Sequence, residues 1–271
     1  MDAGGLGWSA GRVGAGRAVV AWWRTRRAAL ATARAPGPTL RVRAPGAVLT
    51  AEPGPGGGLV HCERSVLRVV VAQGGAVFVG WDAAGPDQPE PRDGAGAGGG
   101  ACPPPDTRAT LEPDTAGGWR VVSQRVLVTV GREGSVRLRT PGGVLLRHDT
   151  PPRWWEPEPG AGGPWRQRSR VRADARFLDP GGSPLGTEGR RVPAQLVVSG
   201  AGTHLVVHSS GAEGGLRFRE GVPGDGSAHD RPGRCDVRMS AGPVAYWVLM
   251  GPVERAVREW VGLTGGEADG R

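Results

Sequence analysis

Glycine and proline constrain this chain more than any other feature, with 49 glycines and 25 prolines among 271 residues, more than a quarter of the sequence. Proline removes a backbone donor and clashes with the preceding helical turn, and glycine in a helix interior is destabilising by about 1 kcal/mol relative to alanine. Breakers at this density exclude long helices and leave short strands joined by Gly/Pro turns. The length suffices for one large core or two modest ones. A hydrophobic content of 38% is low for a compact enzyme.

Alternating or β-branched runs then locate strands. Leu40–Ala44, Val66–Ala72 and Ala76–Trp81 read as strands, and Gly74-Gly75 between the last two signals a hairpin. Trp119–Ser123, Arg125–Val130, Ser135–Arg139 and Val144–Leu146 follow, with turns at Gly131–Gly134 and Pro141–Gly143. Asp149–Pro164 reads as a proline-rich loop holding Trp154 and Trp155. Ala194–Ser199 and Thr203–His208 form a further pair across Gly200–Gly202, and Arg234–Met239 and Val244–Met250 complete the series. Strands this short at this spacing predict an all-β fold, an antiparallel β-sandwich.

The sandwich is expected over residues 39–264. A leader at 1–38 is expected to be poorly ordered, 82–115 to be a Gly/Pro-rich low-complexity loop, and 265–271 to be a tail. The loop carries little side-chain surface to bury. After Gly251-Pro252 comes one short amphipathic helix, with Val253, Ala256, Val257, Trp260 and Leu263 on a single face. Glu254 and Arg258 form its expected i,i+4 pair.

The formal charge is +8, yet every basic residue is arginine, and lysine, isoleucine and asparagine are absent. That pattern follows codon bias in a GC-rich genome, so the arginines are read as a solvated surface and no nucleic-acid partner is expected. The apolar run Ala18–Trp23 is too short for a signal core or a membrane span, so no membrane partner is expected either. Cys62, Cys102 and Cys235 are odd in number and widely spaced, which argues against a zinc knuckle or a disulfide framework and fits a cytoplasmic location.

Four stretches, in this order and spacing, carry a resemblance: Val130–Leu138 with Leu146–Trp154, Val192–His208, Gly226–Arg238, and Pro243–Gly265. The last passes from an apolar strand through Gly-Pro into a helix closing on Leu-Thr-Gly. Together they resemble the N-terminal galactose-mutarotase-like β-sandwich of glycoside hydrolase family 31, the α-glucosidase and α-xylosidase family. The likeness implies a carbohydrate role and a chain lacking the catalytic (β/α)8 barrel, as in a truncated or split gene product. It implies as partner an α-linked oligosaccharide or a separate catalytic barrel domain. The family's catalytic aspartates lie on the barrel, so no catalytic residue, metal or cofactor is expected here. A stand-alone carbohydrate-binding or docking module is the alternative, and an aldose-epimerase-like enzyme a more distant one.

Three residues are candidates for contact with sugar. Asp179 falls where the family's sandwich loop carries an aspartate; the competing reading is a turn-initiating Asp before Pro-Gly-Gly. Trp154 and Trp155 could stack on sugar faces or plug a core. Gly7–Gly11 and Gly94–Gly99 match nucleophile-elbow and phosphate-loop patterns, but neither has the strand and helix that the chemistry needs. His204 and His208 share one strand face at a separation of about 13 Å, too far apart for one metal ion.

Overall fold

A computed structural model of the chain describes residues 40–82, 102–185, 194–210, 212–224 and 229–264. The expected leader and tail, most of the low-complexity loop and the two Gly-rich motif matches lie outside the described residues.

In chain order the strands are β1 (Arg41–Arg43), β2 (Val48–Gly54), β3 (Gly57–Cys62), β4 (Ser65–Val71), β5 (Val77–Trp81) and β6 (Thr110–Pro113). Next come β7 (Trp119–Val122), β8 (Leu127–Val130), β9 (Val136–Arg139), β10 (Leu145–Asp149), β11 (Arg153–Glu156) and β12 (Trp165–Val171). The last are β13 (Arg176–Leu178), β14 (Ala194–Ser199), β15 (Gly202–His208), β16 (Gly214–Arg219), β17 (Gly233–Met239) and β18 (Ala245–Met250), followed by helix α1 (Val253–Thr264). They form two antiparallel sheets, an all-β sandwich as the composition demanded. The eight-stranded sheet runs β13-β14-β15-β18-β5-β4-β3-β2. The ten-stranded sheet runs β1-β11-β12-β10-β9-β8-β7-β6, with β17 and β16 branching from β12. β12 gives its whole length on one edge to β17 and divides the other edge between β11 and β10.

The Gly-Gly hairpin forms as expected. Gly74 and Gly75 both adopt positive φ, 93° and 95°, in a three-residue turn closed by the Ala72 N–H on the Ala76 carbonyl at 2.7 Å. Gly134 (φ 77°) closes the β8–β9 turn, and a Cβ there would lie 3.0 Å from the Trp81 indole. Two segments expected within loops are strands. Arg153–Glu156, expected within a proline-rich loop, is strand β11, because it pairs with both β1 and β12. Within 82–115, Thr110–Pro113 pairs with β7 as strand β6, and Leu111 packs on the core.

The inner faces of the two sheets make one core. Val60, Leu67, Val69, Val79, Trp81, Val206 and Val248 from one sheet meet Val121, Val128, Val136, Leu138, Trp165 and Val237 from the other. The outer face of the eight-stranded sheet is also apolar, and α1 covers it. Phe78, Leu196, Leu205, Val207, Trp247 and Leu249 pack with Ala256 and Leu263. The helix ion pair is Arg255–Glu259, at 2.8 Å, rather than Glu254–Arg258. Arg255 also donates to the Gly74 carbonyl, which draws it, and not Arg258, toward the hairpin.

The core has one polar island. Arg147 and Asp149 on β10 are fully buried, with Arg147 Nε 2.8 Å from Asp149 Oδ1. Tyr246 OH donates to Asp149 Oδ2 at 2.7 Å, and Arg147 Nη2 donates to Ser169 Oγ at 2.6 Å. His204 and His208 on β15 sit in the same interior, their four ring nitrogens without a hydrogen-bond partner among the described residues. Burial, and after it the positive charge of Arg147, pushes both imidazoles down to about 3; Asp149 opposes the shift. Cys62 and Cys235 are buried thiols raised by desolvation to about 11 and about 12, which keeps them protonated and inert at neutral pH.

Candidate functional site

Strand β11 places its two adjacent tryptophans on opposite faces, because successive side chains of a strand alternate. Trp154 is 4% exposed and points inward, where it meets Trp81 edge-on with ring centroids 6.2 Å apart. Trp155 points the other way and is half-buried. One sugar ring therefore cannot contact both.

Each tryptophan lines its own cleft of about 960 Å³, and the two clefts share a wall at Ala44 and Arg64. The cleft of Trp154 is organised by Arg43. Its guanidinium lies 4.0 Å from the Trp154 ring centroid and grips Glu156 through two bonds, Nε to Oε2 and Nη2 to Oε1, both 2.8 Å. Nη2 also donates to Asp82 Oδ2 at 2.6 Å. Asp82 adopts a left-handed backbone (φ 54°), held by its N–H to the Val66 carbonyl and by Ser65 Oγ on its Oδ1 at 2.6 Å. The Arg43 hydrogen bond holds the Glu156 carboxyl below its usual range, ahead of the opposing effect of burial, while the same contact raises Arg43. Two carboxylates thus converge on one cation. A general acid needs a raised pKa, and Arg43 drives Glu156 the other way.

This network ties the short strand β1 to β11. Glu156→Gln should lower unfolding free energy by about 2 kcal/mol. That lies below the roughly 3–5 kcal/mol of a fully broken buried pair, since Asp82 remains on Arg43. Urea unfolding of the variant checks it, and an unchanged midpoint would show that β1 is held by backbone pairing alone.

The cleft of Trp155 lies over the outer face of the ten-stranded sheet. Its walls include Arg153, Arg166, Arg168, Arg170 and Arg234, with Asp236 among them. Asp179 lines neither cleft. It caps the turn after β13, its Oδ1 accepting the Ser183 N–H at 2.9 Å and its N–H donating to the Ser183 carbonyl at 2.8 Å. The structure therefore separates the three candidate residues into a core anchor, a cleft wall and a turn.

Arg43, Asp82 and Glu156 gave no sequence signal as a set, because 113 positions separate Arg43 from Glu156. β12 did carry a signal, the period-two arginines of Trp-Arg-Gln-Arg-Ser-Arg-Val. It is masked because the inward positions Gln167 and Ser169 are polar. Among the described residues no cluster of His, Cys, Asp or Glu is arranged to hold a metal ion, and no helix is long and apolar enough to cross a membrane.

No protein-family profile matches the chain, and no curated protein matches it in sequence. Solved structures do match its fold. A Flavobacterium johnsoniae GH31 dextranase complexed with glucose superposes with a TM-score of 0.55 at 11% identity, over 82% of this chain and 28% of the dextranase. The glucosidase II alpha subunit superposes with a TM-score of 0.55 at 11% identity, over 90% of this chain and 36% of that subunit. The catalytic subunit of an ER glucosidase II heterodimer gives 0.50 at 10% identity, over 85% and 35%. The chain thus spans about a third of the length of the enzymes whose fold it shares. At these identities the likeness establishes the fold.

Proposed function

We propose that this chain is the non-catalytic N-terminal sandwich of a glycoside hydrolase family 31-like α-glycosidase and takes part in carbohydrate binding. The observation that carries this reading is the asymmetric coverage: GH31 enzymes match 82–90% of this chain, while the chain matches only 28–36% of them. Retaining glycoside hydrolysis requires two carboxyl groups about 5–5.5 Å apart, one acting as nucleophile and one as acid. The converging pair on the described sandwich, Asp82 and Glu156, is spanned by Arg43, so it serves to brace the fold. In this reading a separate catalytic barrel domain supplies the chemistry.

Trp155 offers the aromatic face on which an α-linked oligosaccharide would stack, with Trp154 and Arg43 fixing β11 behind it. Asp179 shapes the turn after β13. The test is calorimetric titration with isomaltotriose. Trp155→Ala should weaken binding about tenfold or more, in line with the 1–3 kcal/mol of an aromatic stacking contact, and leave the melting temperature within a few degrees. Asp179→Ala should leave affinity unchanged. Absence of isomaltotriose and maltotriose binding by the unmodified chain would remove the carbohydrate reading, and turnover of nitrophenyl α-glucoside by the purified chain would remove the non-catalytic one.

A further inference from the structure

The outer face of the ten-stranded sheet carries a row of cations formed by five strands. Register places Arg219 of β16 opposite Arg234 of β17, Arg234 opposite Arg170 of β12, Arg170 opposite His148 of β10, and His148 opposite Arg137 of β9. Directly opposed residues share a face, so these five side chains form one line across the sheet. At the usual spacing between strands of about 4.8 Å the line is roughly 19 Å long. Like charges placed directly opposite are destabilising, and this row holds four arginines with no acid between them. Among the described residues, none of Arg137, Arg170, Arg219 and Arg234 makes an ion pair. The acid of the neighbouring row, Asp236, is already occupied by Arg166, with Arg168 at 3.5 Å and Arg238 at 3.4 Å. Arg170 and Arg234 also line the Trp155 cleft, so the row opens into it.

We infer that this row is a docking surface for a linear acidic polysaccharide, whose anionic groups lie along the line of Arg219, Arg234, Arg170 and Arg137. The choice of polymer rests on the carbohydrate reading above; the need for a polyanion does not. Single-stranded nucleic acid is held on successive aromatic platforms, and the cleft has one aromatic wall, Trp155. A polymer with one charge per sugar unit offers anions at intervals close to the spacing between strands. His148 reports the field of the row. Burial lowers its pKa, and Arg137, Arg170 and Arg139 lower it further against the opposing pull of Asp149. An anion bound across the row would cancel that field and raise the His148 pKa.

The experiment titrates the chain with polygalacturonate, dextran sulfate, polyuridylate and neutral isomaltotriose at two salt concentrations, beside an Arg170→Gln/Arg234→Gln variant. The expected result is binding of an acidic polysaccharide that weakens with salt and falls at least tenfold in the variant. The His148 imidazole resonance should titrate at higher pH in the complex. Preference for polygalacturonate identifies carboxylate as the anion and preference for dextran sulfate identifies sulfate; either supports the inference. Both substitutions are at exposed positions and remove a like-charge contact, so the melting temperature should hold or rise. Failure of both polyanions to bind, equal affinity in the variant, or tighter binding of polyuridylate would each overturn the inference. If isomaltotriose still binds while the polyanions do not, only this inference fails. If the polyanions bind through the row and isomaltotriose does not, the neutral-oligosaccharide reading fails instead.

Discussion

Acidification from pH 7 to pH 5 should destabilise this sandwich by about 4 kcal/mol, a large share of the 5–15 kcal/mol that holds a typical domain together. The main source is His204 and His208, with a smaller share from His148, whose pKa is also lowered by burial. His204 and His208 each have a folded pKa of about 3, against an ordinary value of 6.5. A group whose folded pKa is depressed binds more protons when unfolded, so stability rises with pH between the two values. The contribution is complete above pH 6.5 and is lost as pH falls toward 3. The slope in that window is about 1.4 kcal/mol per pH unit for each histidine, which gives the figure for two residues over 1.5 units. Both imidazoles feel the charges of Arg147 and Asp149, and Trp165 and Tyr246 pack on His208. Neither charged neighbour can compensate a proton: Arg147 repels it, and Asp149 is already committed to Arg147 and Tyr246. Urea unfolding at pH 7, 6 and 5 measures the slope. His204→Gln with His208→Gln should largely flatten it in this window, though the double variant starts less stable at pH 7. A slope that largely survives both substitutions would place the acid sensitivity elsewhere. Below pH 4 a second loss should follow as the Glu156 and Asp236 carboxyls, depressed by Arg43 and Arg166, become protonated.

Removing one member of the buried ion pair should have the next largest effect. Asp149→Ala leaves the guanidinium of Arg147, 0% exposed, with Ser169 as its remaining side-chain partner and strips the Tyr246 hydroxyl of its acceptor. Breaking a buried pair on one side costs about 3–5 kcal/mol, since an uncompensated charge stays in a low-dielectric interior. For a chain of this size that corresponds to a fall of about 5–10 °C in melting temperature. The companion variant separates loss of the pair from loss of packing. Arg147→Met with Asp149→Leu replaces both charges by apolar groups of similar volume and should recover most of the stability. Thermal unfolding of Arg147→Met, Asp149→Leu and the variant combining them gives the coupling energy directly. If Asp149→Ala melted within two or three degrees of the parent, the pair would not be a desolvated one.

Much of the sandwich was legible. Val66–Ala72, Gly74-Gly75 and Ala76–Trp81 announce a hairpin because alternation and turn chemistry are local properties. The apolar stripe of α1 was readable for the same reason, and its partner, the outer face of β14, β15 and β18, was foreshadowed by the continuous apolar run Ala245–Met250. β11 and β12 were not legible. Arg153–Glu156 has prolines before it and no alternation of its own, and β12 alternates arginine with polar residues at two of its inward positions. Only pairing to neighbours makes either a strand. The candidate site suffered most from this, because the opposite facing of Trp154 and Trp155 follows once β11 is known to be a strand.

The sequence by itself determined short strands followed, after Gly251-Pro252, by an amphipathic helix, since the density of glycine and proline forbids long helices. Tertiary structure alone decided where the charges went. Strand β10 slips register at Leu146, so that Arg147 faces Leu138 rather than Arg137. That single bulge turns Arg147 and Asp149 into the core and His148 outward to complete the row of arginines. A shift of one residue exchanges the two faces of a strand, and the pairing that fixes it is made with residues from other strands.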